Sequence, residues 1–464
     1  MFRDDFVWGI GSSAYQIEGM DPNDGRGECI WDRLAEEQPE KVCGDKATVA
    51  CDHMHKYPED YKLMASLGIK NNRFSINWSR ILPNGTGEIN QKGIDMYRDM
   101  IKEMKANGIE PYITLYHWDL PQALEDKGGW VNPEIVDWFT EYAKVIAENF
   151  SDVCDKFFTI NEPQCVIGLG YVCGDHAPGK CLSNKETFQA AHNLLKCHGS
   201  AVRALRKYSC RPVKVGFAPT CTIPMPVSNK EEDIEAARLR LFTMEDDTRN
   251  WAWNVPWFCD PVLLGKYPEQ GVELFKEYLP EITEEDMKLI SEPIDFVGFN
   301  IYNGYYMKSD GNGGYVGMPF PTGLSQTSVG WGVQEQCLYW GVKFLYERYK
   351  TPIFITENGM ACCDWVSLDG KVHDPARIDF LDRYLSALNM AIEDGADVLG
   401  YFLWTFMDNY EWEKGYHGRF GICYTDFKTL ERTPKDSAYW YKTIMESNGK
   451  LLTGNRENID LFKY

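Results

Sequence analysis

The stretch FITENG, Phe354 to Gly359, decides how this chain is read. Ile353, Phe354 and Ile355 make a short apolar run between Pro352 and Gly359, the pattern of a buried strand. Glu357 stands at its far end, where an unpartnered buried carboxylate would be costly, so its presence there asks for a reason. A second run with the same ending lies 195 residues earlier: FFTINEP, Phe157 to Pro163, closes on Glu162. Each glutamate has an asparagine beside it, Asn161 and Asn358. Two strand ends of this kind suggest a pair of carboxylates facing one site.

Outward from these runs, strand-like segments alternate with helical patterns along the whole chain. The candidate strands are Phe6–Ile10, Lys70–Ile76, Glu110–Tyr116, Lys156–Ile160, Val213–Ala218, Ile294–Phe299, Pro352–Ile355 and Val398–Leu403. Ile94, Tyr97, Ile101 and Met104 repeat at helical spacing, and Gly108 supplies a stop before the third strand. Asn132-Pro133 opens a helix with Ile135, Phe139, Tyr142 and Ile146 on one face. Asp374-Pro375 repeats the device, with Ile378, Leu381, Leu385, Leu388 and Ile392 behind it and Gly395 at its end. Eight strands alternating with helices and no low-complexity linker predict an α/β fold, a single (β/α)8 TIM barrel spanning residues 1–464. An open doubly wound sheet is the alternative. Thr220 to Asp260 and Ser309 to Gly323 are too long for plain loops and read as insertions at the C-terminal, active-site face.

Such a barrel gives the glutamates a place, because reacting groups sit at the C-terminal ends of its strands. Glu162 and Glu357 would end strands four and seven and face one bowl. Other strand ends bring Gln16, Glu18, Arg73, His117-Trp118-Asp119, Asn300, Tyr302, Trp404, Asp408, Asn409, Glu411 and Trp412. Amides and carboxylates hydrogen-bond hydroxyl groups, and indole faces cover the apolar faces of a pyranose ring. The bowl reads as a sugar site.

Charge and composition narrow the partners. A formal net charge of −21 argues against nucleic acid or an anionic membrane surface and fits a neutral ligand. There is no apolar run long enough for a membrane helix, and MFRDDFVWG shows no secretory pattern, so a cytoplasmic location is expected. Fifteen scattered cysteines with no C-x-x-C pair suggest free thiols in a reducing compartment rather than a disulfide framework, and Cys362-Cys363 reads as packing. Oligomeric state is not legible.

Two motifs mimic other chemistry. Gly9-x-Gly11-x-x-Ala14 follows a strand like a dinucleotide fingerprint, but Tyr15-Gln16-Ile17-Glu18-Gly19 starts no amphipathic helix, and tight barrel backbone explains the glycines. His53-x-His55 resembles a metal pair, but it falls in a helix-like stretch, Asp52–Leu67, away from the strand ends. Neither a cofactor nor a metal is expected. The tryptophans have a plainer reading too: Trp404, Trp412 and above all Trp331 could be core residues, and His117 a core histidine.

Seven segments in order resemble glycoside hydrolase family 1, the retaining β-glycosidases, over essentially the whole chain: FVWGIGSSAYQIEG (6–19), RFSINWSRI (73–81), TLYHWDLPQAL (114–124), TINEP (159–163), APG (177–179), ITENG (355–359) and FLWTFMDNYEWEKGYHGRFG (402–421). The resemblance implies Glu162 as general acid/base and Glu357 as nucleophile, assisted by Arg73, Tyr302 and Asn161. The charge of Glu357 is expected to raise the pKa of Glu162, while Arg73 and Tyr302 keep Glu357 ionised. The resemblance further implies that Gln16, His117, Asn161, Glu162, Glu411 and Trp412 hold the sugar, that Trp404 is the floor beneath its ring, and that Trp331 is the platform for the leaving group. After Trp331 the chain reads VQEQCL where the family has a proline-glycine-leucine turn, and Asn77 stands where the family commonly has serine. Relatives that take 6-phosphoglycosides carry serine, lysine and tyrosine where this chain has Glu411, Gly418 and Phe420, so an unphosphorylated sugar is expected. Together these imply a β-glycosidase, foremost a β-glucosidase, hydrolysing small β-glucosides by double displacement through a covalent glycosyl-enzyme. A transglycosylase and a non-catalytic glycan-binding protein are the alternatives. Choice among gluco, galacto and fuco epimers is not legible.

Overall fold

A computed structural model describes residues 1–464. Eight parallel strands close into a barrel: β1 Val7–Gly11, β2 Asn71–Ser75, β3 Glu110–Tyr116, β4 Lys156–Asn161, β5 Lys214–Ala218, β6 Phe296–Asn300, β7 Ile353–Asn358 and β8 Val398–Trp404. Each pairs with its sequence neighbours, and β1 closes the ring against β8 with Val7 opposite Gly400. The open-sheet alternative is excluded by that closure. Helices cover the outside, among them Gln91–Ala106, Ile135–Phe150, Asn184–Tyr208, Gln336–Tyr349 and Pro375–Glu393.

The strand positions follow the sequence pattern, with one instructive difference at β7. The apolar run ends at Ile355, but the strand continues through Thr356, Glu357 and Asn358. Polar residues usually mark where a strand leaves the core. Here all three stay buried, and two of them, Thr356 and Glu357, bond to side chains of the bowl. Asn358 does not share the site as Asn161 does: it donates to the Ile301 carbonyl and accepts from Tyr401. The symmetry suggested by the two flanking asparagines is therefore broken, although both strands slip in register near their ends, β7 against β6 between Ile355 and Glu357 and β4 against β5 between Phe158 and Asn161.

The floor of the barrel is an aromatic plug. Tyr112, Phe158, Phe296, Phe354 and Phe402 pack together inside it, with Phe296 5.0 Å from Phe158 and 5.1 Å from Phe354. Gly9 makes room for this plug, since a Cβ there would stand 2.5 Å from Phe402 Cδ1. That close approach accounts for the glycine of the apparent dinucleotide motif. The residues that follow form only the one-turn helix Ala14–Ile17, a turn the sequence reading did not anticipate.

The helix stripes also hold, with a rotation in one of them. Ile94, Tyr97, Ile101 and Met104 are buried, as are Ile135, Phe139, Tyr142 and Ile146. On Pro375–Glu393 the inward face is Arg377, Leu381, Tyr384, Leu385 and Leu388, while Ile378 and Ile392 are half-buried. Arg377 goes inward because Asp374 and Asp364 receive its guanidinium there. The two long insertions carry structure of their own. Ile223–Pro226 runs parallel to Gly304–Ser309, which pairs in turn with Tyr315–Gly317, and helix Glu231–Phe242 packs against this small sheet.

Candidate active site

Each strand end delivers its side chain by a local device. Glu162 follows the last residue of β4 with a positive φ of 44°, a conformation that L-residues adopt at a cost of about 1–2 kcal/mol. Pro163 then opens a short helix, so the chain turns away and the carboxyl remains in the bowl, buried. Trp118 and Trp412 adopt positive φ as well, at 75° and 47°. Three residues around one bowl share a strained backbone, the kind of local cost that clusters at functional sites.

The two glutamates have different partners. Arg73, in the middle of β2, is wholly buried; its Nη1 donates to Glu357 Oε1 at 2.8 Å and its Nη2 to Asn161 Oδ1 at 2.6 Å. Tyr302, just past β6, donates its hydroxyl to Glu357 Oε2 at 2.9 Å. Glu162 has no cation bonded to it. Asn300 Nδ2 donates to its Oε1 at 2.7 Å, and Cys165 Sγ lies 3.0 Å from its Oε2.

Electrostatics follow from that asymmetry. Burial, and then the charge of Glu357, push the Glu162 carboxyl up to about 7. The expectation named only the neighbouring charge, and burial is the larger cause. Burial also lifts Glu357 above the ordinary carboxyl value, opposed first by the Arg73 guanidinium and then by the bonds from Tyr302 and Asn300. The guanidinium beside one carboxyl and only neutral donors beside the other leave a shared proton on Glu162.

Around this pair the remaining predicted residues line the bowl. Gln16 Nε2 donates to the Tyr410 carbonyl at 2.7 Å and lies 3.5 Å from Glu411 Oε2, while Ser13 Oγ donates to Gln16 Oε1 at 2.6 Å. His117 stacks between Trp404 and Trp412, at 5.7 Å and 6.0 Å with 14° between planes in both cases. Burial, then the charge of Arg73, hold its imidazole well below the ordinary value, so it is neutral. Asn161 Oδ1 already accepts from Arg73 and Asn300, so its amide donates to His117 Nε2 at 3.2 Å and the ring proton sits on Nδ1. Burial, with the charges of Glu413, Glu357 and Glu162, raises Glu411 well above the usual carboxylate range. Trp331 lies further out, 5.0 Å from the ring of Tyr302.

Outside the glutamates opens a cavity of about 310 Å³, lined by Glu162, Cys165, Tyr302, Trp331 and the first insertion through Thr220, Leu241 and Trp253. Three residues given no role from the sequence belong here: Asn300 and Trp118, which the strand ends bring to the bowl, and Cys165. Asn300 bridges Glu162 to Thr356, whose hydroxyl donates to Asn300 Oδ1 at 2.6 Å. Its position at the end of β6 was the available signal. Trp118 donates to the Asn161 carbonyl at 3.1 Å and is 4.7 Å from Trp412. Cys165 had no signal beyond its spacing of three from Glu162. Two decoys fall away. His53 is buried against Asp60 at 2.8 Å and Tyr61 at 3.2 Å, and His55 binds Asp52, both on helix His53–Ser66. Asn77 is the N-cap of helix Trp78–Ile81, accepting from Arg80 N at 3.1 Å, with Ser79 Oγ donating to it at 2.7 Å.

A closed (β/α)8 barrel with two unlike buried carboxyls in an amide- and indole-lined bowl defines a glycoside hydrolase. The comparisons with known proteins agree. Residues 1–450 match the model for glycosyl hydrolase family 1, and the chain belongs to that family. It is 44% identical to beta-glucosidase A of Acetivibrio thermocellus, across 97% of this chain and 99% of that protein. It is 43% identical to beta-glucosidase A of Thermotoga maritima, across 97% and 98%. The solved structure of the Thermotoga maritima beta-glucosidase in complex with glucoimidazole superposes with a TM-score of 0.87 at 43% identity, covering 97% of this chain and 99% of that one.

Proposed function

We propose that this chain is a β-glucosidase that hydrolyses unphosphorylated small β-glucosides with retention of configuration. The observation that carries the reading is the unequal partnership of the two glutamates: Glu357 accepts from a buried guanidinium, and Glu162 from neutral donors only. An ionised Glu357 attacks the anomeric carbon while Glu162, protonated near neutrality, donates its proton to the leaving oxygen. The sugar is then held as an ester on Glu357. Glu162, now ionised, takes a proton from water as the water attacks, and the ester is released. Retaining enzymes of this kind keep their carboxyls about 5–5.5 Å apart, too close for water to enter on the far face.

The sugar itself would be held by Gln16, His117, Asn161, Glu411 and Trp412 over the face of Trp404, and the leaving group would lie against Trp331. Full-length relatives named beta-glucosidases support glucose as the preferred sugar. Glu411, Gly418 and Phe420 offer a phosphate group no cation. Residues 1–464 are read as one catalytic domain, supported by a single apolar cluster that runs from Phe2 to Ile459. No helix is long and apolar enough to cross a membrane, and the fifteen unpaired cysteines favour a cytoplasmic setting.

The test is direct. Glu357→Gln is expected to abolish turnover of p-nitrophenyl β-D-glucoside with the fold intact by circular dichroism. Glu162→Gly is expected to be rescued by azide on an activated aryl glucoside, with β-glucosyl azide as product. Turnover in the first variant, or no rescue in the second, sinks the assignment.

A further inference from the structure

Cys165 sits in the short helix Pro163–Ile167, three residues after Glu162, so the two side chains share a face. It is buried, and it forms part of the cavity wall beside Glu162. The hydrogen bonds of Glu162 divide between its oxygens. Oε1 accepts from Asn300 Nδ2 at 2.7 Å, and Oε2 lies 3.0 Å from Cys165 Sγ. Asn300 can present only its amide N–H groups to Oε1, because its own carbonyl oxygen is occupied by Thr356 Oγ1. A proton on Oε1 would collide with that donor. The proton of the acid form therefore belongs on Oε2, beside the sulfur.

We propose that Cys165 is a positioning residue for the proton of Glu162, donating its S–H to Oε2 whenever the carboxyl is ionised and releasing Oε2 when it is protonated. The thiol suits this because it is a weak donor and a weak acceptor. As the proton leaves Oε2 for the departing oxygen, the S–H turns to meet the new charge. When Oε2 takes a proton from water, the S–H turns away. The thiol proton itself is never transferred. Burial, and then the charge of Glu162, push the Cys165 thiol well above its ordinary range, so it remains S–H throughout. The other titratable or charged groups facing Glu162 are Glu357 from β7, Arg73 from β2, Tyr302 after β6, Cys221 after β5 and Glu411 after β8. None of them hydrogen-bonds Oε2.

The inference rests on Glu162 being the acid/base, and the experiment separates the two. The alkaline limb of kcat/KM is measured on an alkyl β-glucoside, whose leaving oxygen needs a proton. Cys165→Ser, a stronger donor to the carboxylate, is expected to move the limb down. Cys165→Ala, with no donor, is expected to move it up, each by roughly 0.4–1 pH unit, the size of one net hydrogen bond. A limb that stays in place, or moves the same way in both variants, overturns the inference. If the alanine variant fails to fold, the serine limb alone decides it by the same rule. Glu162→Gln is the control. It should lose the alkyl glucoside while still being glycosylated by 2,4-dinitrophenyl β-D-glucoside, and retained alkyl turnover would refute the role of Glu162 instead.

Discussion

Arg73 Nη1 donates to Glu357 Oε1 at 2.8 Å, with side-chain exposures of only 1% and 5%. Removing one partner of such a pair leaves an uncompensated buried charge. Arg73→Met is expected to destabilise the protein by about 3–5 kcal/mol, measured by urea unfolding. Arg73→Lys keeps the charge but loses the fork that reaches both Glu357 and Asn161. We expect it to fold and to lose roughly 100-fold or more in kcat/KM, as for removal of a transition-state donor.

The pH dependence of turnover should report the same asymmetry. With Glu162 pushed up to about 7, kcat/KM is expected to fall as pH rises past that value, because the acid form is lost. The limb should disappear from the first step when the leaving group needs no proton. A profile flat through pH 8 on an alkyl glucoside would contradict this.

Stability should run against activity at Glu162. Its folded pKa lies above the unfolded value of 4.5, so its contribution is fully present below that value and declines as pH rises through about 7. Glu162→Gln removes this cost. The variant is expected to gain on the native protein between pH 5 and pH 8, by on the order of 3 kcal/mol at most. Thermal melts of both proteins across that range are the check, and a constant difference would count against a buried, raised carboxyl.

Trp331 lies 5.0 Å from Tyr302 and 5.7 Å from Phe420, half-buried on the cavity wall. Trp331→Ala is expected to raise KM for aryl glucosides by about 10-fold, a typical value for one lost aromatic contact. The Ki for a free glucose-like inhibitor should stay within about 2-fold, since the inner bowl is untouched. Equal losses for both ligands would place Trp331 in the fold rather than at the leaving group.

Asp408 supports the segment that carries Glu411 and Trp412. Its Oδ1 accepts from Lys435 Nζ at 2.7 Å and its Oδ2 from Arg419 Nη1 at 2.7 Å, and both Asp408 and Lys435 side chains are fully buried. Asp408→Asn leaves Lys435 with Asp364 as its remaining counter-ion, and we expect a loss of about 1.5–3 kcal/mol in denaturant unfolding, the size of a hydrogen bond to a charged group. Some activity should survive below the melting point, because Asp408 points away from the bowl toward Arg419 and Lys435.

The barrel was legible because buried parallel strands leave near-continuous apolar runs, and eight of them repeat between marked helices. The extent of β7 was not. Thr356, Glu357 and Asn358 look like the polar exit of a strand, and only closure of the barrel shows that they face an enclosed bowl. The pair Glu162 and Glu357 stood out through its motifs. Asn300 and Cys165 did not, since their significance lies in which oxygen of Glu162 each one meets, and that depends on contacts of three residues in one case and 138 in the other. Arg377 was hidden for a similar reason: its acidic partners are known only once Asp364 and Asp374 are brought to it.

The seam between β1 and β8 has a consequence for how the molecule comes into being. Gln16 and Glu411 meet across 395 residues of chain, and Val7 finds Gly400 only after nearly everything between them is made. Contacts this distant form late and slowly. A ribosome-bound chain that already holds Glu162 and even Glu357 still lacks one wall of its sugar pocket. A truncated product would carry Glu162 and Glu357, with Gln16, His117 and Asn161 beside them, and would lack the wall that Trp404, Glu411 and Trp412 supply.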